Sequence, residues 1–155
     1  MPYSDFTQFA QALCDCAGVA APLVQPDLTG TVAFHLVLRD VVVNVLQLPA
    51  PEYPNDDVFI LVTFGAIPAD MELSALQMIA EANYTMLGAG APVFGLNPAT
   101  GEIVIRQQMC LSQVVASDAY AAIERLAQVA RQWRIDPTLA PVAPQAHAID
   151  LRRLA

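Results

Sequence analysis

The chain has 155 residues, 55% of them hydrophobic and only 14% charged, with a formal net charge of −8 and no lysine. That length makes about one domain, large enough to bury a core without metal or disulfide support. So acidic a chain has no electrostatic route to nucleic acid, which is bound by neutralising phosphates, and its longest apolar runs, Val41–Leu48 and Val58–Ala69, fall short of the ~20 residues that span a bilayer. The first residues, Met1 to Asp5, show neither a basic region nor an apolar signal core, so a cytoplasmic protein is expected.

A first helix is predicted over residues 5–17. Phe6, Phe9, Ala10, Leu13, Cys14 and Ala17 recur at helical spacing and form one apolar face. Ser4 is placed to cap this helix and Gly18 to end it. Pro22 and Pro26 make the next stretch a loop. Residues 31–38 and 41–48 read as a β-hairpin rich in Val, Phe and Leu, turning at Arg39-Asp40 without the usual glycine. Pro49, Pro51 and Pro54 stop its second arm. Residues 58–65, apolar almost throughout, read as a strand buried on both faces or bordering another molecule. A second helix is expected from an N-cap at Asp70, with Leu73, Leu76, Ile79, Ala80, Asn83 and Leu87 on one broad stripe. Asn83, the polar exception, is placed to satisfy backbone groups at a helix end or across an interface. Gly88-Ala89-Gly90 terminates this helix. Residues 93–96 and 102–109 form a second hairpin around Asn97–Gly101. The last helix, capped by Ser117, runs to Trp133 with Ala119, Ile123, Leu126, Ala127, Ala130 and Trp133 inward.

The order α-β-β-β-α-β-β-α, with hairpin strands between helices, predicts an α+β fold: a twisted antiparallel sheet packed against helices. Residues 1–134 make the domain. Beyond residue 134, Pro137, Pro141 and Pro144 sit among alanines and predict a loosely ordered tail through residue 155.

No catalytic constellation emerges from the residues. The two histidines, His35 in a strand and His147 in the tail, have no neighbours at metal-ligand spacing. Cys14-Asp15-Cys16 is not a C-x-x-C motif, and on a helix its thiols diverge by about 200°. Both read as small buried side chains in a reducing compartment. Gly88-Ala89-Gly90 follows a helix, whereas a phosphate loop precedes one. Asp56-Asp57 reads as a solvated loop pair. No enzyme activity, metal or cofactor is expected.

Excess apolar surface is the informative feature. Val32, Phe34, Leu36 and Leu38 face one side of the first strand and Thr31, Ala33, His35 and Val37 the other. In the next strand Val41, Val43 and Val45 oppose Val42, Asn44 and Leu46. Helices cover one face of a small sheet, and an apolar second face marks an interaction site or a dimer core. Charge is uneven as well. Eleven acids and a single base, Arg39, lie between Met1 and Ile105, while four of the seven arginines lie between Arg106 and Arg134. The acidic part keeps the chain soluble and attracts basic partners.

One segment carries a resemblance. Met78–Val104, MIAEANYTMLGAGAPVFGLNPATGEIV, resembles the class I type III secretion chaperones of the Tir-chaperone family. The points of likeness are a helix ending in Ala82-Asn83, the glycines at 88 and 90, a strand with Gly95-Leu96, the polar turn Asn97–Gly101 and an apolar strand. A final helix ending near Trp133, Leu28-Thr29-Gly30 before the first strand and Phe64–Pro68 after the third are also similar. The Pro49–Pro54 segment and the proline-rich tail depart from that pattern. The resemblance implies a homodimer that works without ATP and holds an extended N-terminal segment of a secreted effector. The alternative on the same fold is a regulatory or scaffold module. Leu76, Ala80, Asn83, Ile103 and Ile105 are the candidates for the dimer seam, and Phe6, Phe34, Leu36 and Val43 for the client patch.

Overall fold

The computed structural model describes residue 3, residues 5–49 and residues 56–139. Its elements follow the expected order: α1 (Phe6–Ala17), β1 (Val32–Leu38), β2 (Val41–Gln47), β3 (Asp57–Ala66), α2 (Glu72–Thr85), β4 (Val93–Leu96), β5 (Glu102–Cys110) and α3 (Ala116–Ile135). One 3-10 turn, Ala69–Met71, precedes α2. The strands form a single sheet in the order β1-β2-β3-β5-β4, antiparallel at every pairing. The sheet therefore has two edges, β1 and β4.

Alternation decides which face is covered. Phe34 and Leu36 of β1, Val41, Val43 and Val45 of β2, and Val58, Ile60, Val62 and Phe64 of β3 are all buried. They pack with Phe6, Phe9 and Leu13 of α1 and with Ala119, Ile123, Ala127, Ala130 and Trp133 of α3 in one core. Both helices thus lie on the same face, α1 against α3 and α3 against β3 and β2. The other face carries Val37 and Val42 in the open, and the Arg106 guanidinium sits 6.0 Å over the Phe59 ring there.

Local chemistry explains most of the boundaries. Asp5 caps α1, its carboxylate accepting from the Gln8 N–H at 2.9 Å; the Ser4 cap expected from sequence lies outside the described residues. Gly18, at φ 67°, supplies the left-handed stop. The Arg39-Asp40 turn puts both residues at positive φ, 51° and 66°, as a two-residue hairpin of the I′ type demands. That conformation costs arginine more than it costs glycine. Arg134 helps to hold it, donating from Nη1 to the Asp40 carbonyl at 2.8 Å.

The same arginine repairs a break in the sheet. The β3–β5 register shifts between Thr63 and Gly65, leaving Phe64 as the extra residue of a bulge. Arg134 donates from Nε to the Phe64 carbonyl at 2.6 Å and from Nη2 to the Thr63 carbonyl at 3.1 Å. Gly65 has φ 132°, and the Trp133 ring lies 3.8 Å from where its Cβ would stand.

Several expectations are corrected. Asp70 does not cap α2: the 3-10 turn intervenes, and the N-cap position is Met71 with no side-chain bond. Ser117 is likewise inside the first turn of α3, whose N-cap is Val115. Helix α2 ends at Thr85, so Leu87 lies in the loop beyond it. Its apolar stripe is not buried, and Ala75 is its one buried residue. Cys14 is buried but Cys16 is exposed, and all three cysteines are free; burial raises the Cys14 thiol pKa, with the Asp15 charge adding to it. Helix α3 continues to Ile135, and Asp136 then accepts from Thr138 N and Oγ1 at 3.0 and 2.6 Å in a closing turn. The rest of the expected tail, residues 140–155, and the Pro51–Pro54 stretch lie outside the described residues.

Candidate partner-binding surfaces

The sheet edges are unlike each other. Asn97 donates to the Glu102 carbonyl at 2.8 Å, closing the β4–β5 hairpin. By the alternation of the ladder, the Phe94 N–H and C=O then point away from β5. Asn83 fills that position. Its Nδ2 donates to the Phe94 carbonyl at 3.1 Å and its Oδ1 accepts from the Phe94 N–H at 2.8 Å. The carboxamide acts as a short piece of backbone, fastening α2 along the β4 edge. The sequence suggests backbone groups at a helix end or across an interface; the groups that Asn83 satisfies are those of the β4 edge.

The β1 edge has no such cover. The two-residue turn pairs Leu38 with Val41, so Ala33, His35 and Val37 direct their N–H and C=O groups outward. A bridge from Pro26 reaches Val32 and, since proline has no N–H, turns the Ala33 N–H toward the loop before Pro26; the Asp27 N–H donates to the Thr31 carbonyl at 2.9 Å, and the edge from His35 onward is open. Exposed apolar side chains border it: Val37 on the strand, and Val19, Leu23 and Leu28 in the loop that leads to it. Asp27 fixes that loop, its carboxylate accepting from Thr29 N, Thr29 Oγ1 and Thr31 N at 2.8, 2.6 and 3.0 Å. The Thr29 bonds hold its carboxyl below the usual carboxylate range.

The candidate site residues fall into two classes. Phe6, Phe34, Leu36 and Val43 do come together, with the Phe6 and Phe34 rings 5.8 Å apart, but beneath α1 and α3 as core. They are inward because the helices cover the Phe34 face, and the uncovered face is the one bearing Ala33, His35 and Val37. Ile103 and Ile105 are buried for the same reason. Leu76 and Ala80 are exposed on α2, and Asn83 of the same helix is half-buried against β4. Sequence reasoning missed the larger apolar surface around them: Leu73 at 80%, Tyr84 at 75% and Leu87 at 85% exposed, with Val93 and Leu96 on β4. The signal was present, since an apolar stripe on a helix followed by a short edge strand has little to cover it.

The clusters that could do chemistry point to structure. Asp56 accepts from Cys110 Sγ and Ser112 Oγ at 2.5 Å each and from Ser112 N at 2.9 Å. The thiol, then the hydroxyl, hold its carboxyl below the usual range. With Leu111 N donating to the Asp56 carbonyl at 2.7 Å, this pins the start of β3 to the end of β5. The expectation of a merely solvated Asp56 is corrected accordingly. His35 stands on β1, with β2 and β3 between it and β5. Among the described residues no three His, Cys, Asp or Glu side chains are grouped to hold a metal ion, and no helix is long and apolar enough to cross a membrane.

Residues 22–134 match the family of Tir chaperone proteins, CesT. The chain belongs to that family. The matched stretch runs from the loop before β1 into the last turn of α3, so it takes in the open β1 edge, α2 and the Asn83 clasp. No curated protein matches the sequence. Among solved structures, the fold is similar to a chain of the ExsC–ExsE complex, with TM-score 0.64 and 17% identity over 88% of this chain and 99% of that one. It is also similar to a chain of the HopA1–SchA chaperone–effector complex (TM-score 0.58, 12% identity, 84% and 93% covered). A third is in the ExoT–SpcS complex from Pseudomonas aeruginosa (TM-score 0.54, 15% identity, 82% and 95% covered). At these identities the likeness establishes the shared α+β fold.

Proposed function

We propose that this member of the CesT family is a cytosolic type III secretion chaperone that holds an extended N-terminal segment of a secreted effector, keeping it soluble and competent for export. The observation that carries the proposal is the open β1 edge with its apolar border. Beyond the Pro26 bridge, two alternate residues with outward-facing backbone, His35 and Val37, offer their groups to a client strand. Val37, Leu23 and Leu28 offer apolar contacts to its side chains. A disordered client needs this combination, because its ordering cost has to be offset by burying a long stretch of chain. The solved relatives that carry the fold include a chaperone–effector complex by description.

The active form is a homodimer. Its seam is formed by Leu73, Leu76 and Ala80 of α2 with Val93 and Leu96 of β4, and Asn83, Ile103 and Ile105 support that surface from behind. Phe6, Phe34, Leu36 and Val43 back the client edge in the same way.

His35→Pro tests the client edge. The substitution removes an outward N–H and, because that group bonds to no strand of the sheet, leaves the β1–β2 ladder intact. Client affinity is expected to fall about tenfold while thermal stability changes little. Unchanged affinity, measured by titration calorimetry against the effector's N-terminal segment, would place the client elsewhere.

A further inference from the structure

We propose that the groove between the Arg39-Asp40 turn and the last two turns of α3 is a docking site for an acidic peptide segment of a partner protein. It shares no residue with the β1 client edge and does not rest on the client reading. The groove has a volume of about 390 Å³, and Arg39, Arg131 and Arg134 line it with Gln128, Gln132 and Ile135; Asp40 is its one acid.

Its charge runs against the rest of the molecule. The chain has 15 acids and 7 bases, yet three of the five arginines among the described residues meet here. Arg134 is fixed in the wall by its three carbonyl bonds. Arg39 stands on a turn held at positive φ. Arg39 and Arg131 form no ion pair with an acid among the described residues, and both are exposed. Three arginines against the single carboxylate of Asp40 leave a net positive groove, and an anionic ligand relieves the repulsion among them.

The rest of the lining selects a peptide over a small anion. Gln128, Arg131, Gln132 and Ile135 follow the i, i+3, i+4, i+7 spacing of one helix face. That stripe is about 10 Å long, the reach of about three residues of extended chain. The two glutamines can donate to and accept from a peptide backbone, and Ile135, 86% exposed, offers an apolar contact at one end. The fitting ligand is an extended segment with two or more carboxylates and one apolar side chain.

The test is fluorescence anisotropy of the full chain with a short fluorescein-labelled peptide alternating Glu and Leu. Binding is expected, weakening between about 50 and about 200 mM salt as screening grows, and any binding of a Lys–Leu counterpart to the acidic surface should not be weakened by the groove substitutions. Arg39→Glu with Arg131→Glu should weaken binding at least about tenfold. Arg125→Glu, the same charge change on α3 outside the groove, should weaken it less than about threefold. Arg131→Gln, a neutral change at an exposed site, should give an intermediate loss and guards against misfolding of the double variant. The proposal is overturned if the acidic peptide does not bind, if Arg125→Glu matches the double variant, or if inorganic phosphate displaces the peptide as well as unlabelled peptide does. It is also overturned if the chain self-associates through these arginines, which would make a second copy the occupant.

Discussion

Replacing Trp133 with alanine should remove about 3–5 kcal/mol of folding stability, a large share of the ~5–15 kcal/mol that holds a domain together. Trp133 is 1% exposed and is the largest fully buried side chain among the described residues. Its ring lies 6.0 Å from that of Phe64, which is itself 5.1 Å from that of Phe94. The stack joins the last helix to the bulge of β3 and then to the β4 edge, so a cavity there loosens three elements together. Among the described residues the indole N–H has no acceptor, so packing carries the effect. Trp133→Phe should accordingly cost much less than Trp133→Ala. Urea unfolding monitored by circular dichroism reads both, as a fall in midpoint at constant slope. A loss below about 1 kcal/mol for the alanine variant would show that the α3 end is dispensable to the core.

The second large effect concerns association. The unmodified chain is expected to sediment as the proposed dimer, and a chain carrying Leu76→Asp and Leu96→Asp is expected to remain folded and to sediment as a monomer. Both leucines are already exposed, 41% and 55%, so the fold has little stake in them. Helix α2 packs mainly on β4 and the preceding 3-10 turn, and its one buried residue is Ala75. An apolar helix with so little of itself covered needs a second surface. Burying two carboxylates in that seam without partners should weaken the dimer by two orders of magnitude or more, at about 1.4 kcal/mol per tenfold. Sedimentation equilibrium decides the matter. A double variant that still forms a dimer would place the seam elsewhere, with the open sheet face the next surface to test.

The element order and the strands were legible in the sequence because each rests on local chemistry. Alternation in residues 32–38 and 41–47 gives the hairpin and sorts its side chains into two faces. Arg39-Asp40 marks a turn even without glycine, since Pro49 and the apolar runs leave no other place for the chain to reverse. The α2 boundary was less legible. Asp70 looks like a cap, but Pro68 starts a 3-10 turn in which the Met71 N–H bonds to the Pro68 carbonyl at 2.9 Å, delaying the helix.

The candidate surface was harder to read, for a different reason. Periodicity says which residues share a face and cannot say which face the helices choose. Phe34 and Leu36 are as apolar as a client patch requires, yet both α1 and α3 settle on them. Leu73 and Leu76 have the spacing of a core stripe, yet the Asn83 clasp holds α2 along β4 so that Ala75, Met78, Ile79 and Ala82 pack against the core and the two leucines stay exposed. The long-range ties were invisible for the same reason. Arg134 reaches carbonyls at positions 40, 63 and 64, and Asp56 reaches Cys110 and Ser112; no local pattern links those positions.

Capture of the protein's partner from native extract on the immobilised full chain, with protease mapping of the captured protein, tests the chaperone proposal head-on. The expected result is a secreted protein protected over one continuous stretch near its N-terminus, with the remainder cleaved freely. A folded partner protected at scattered surface sites, or no partner beyond a second copy of the chain, would refute the proposal.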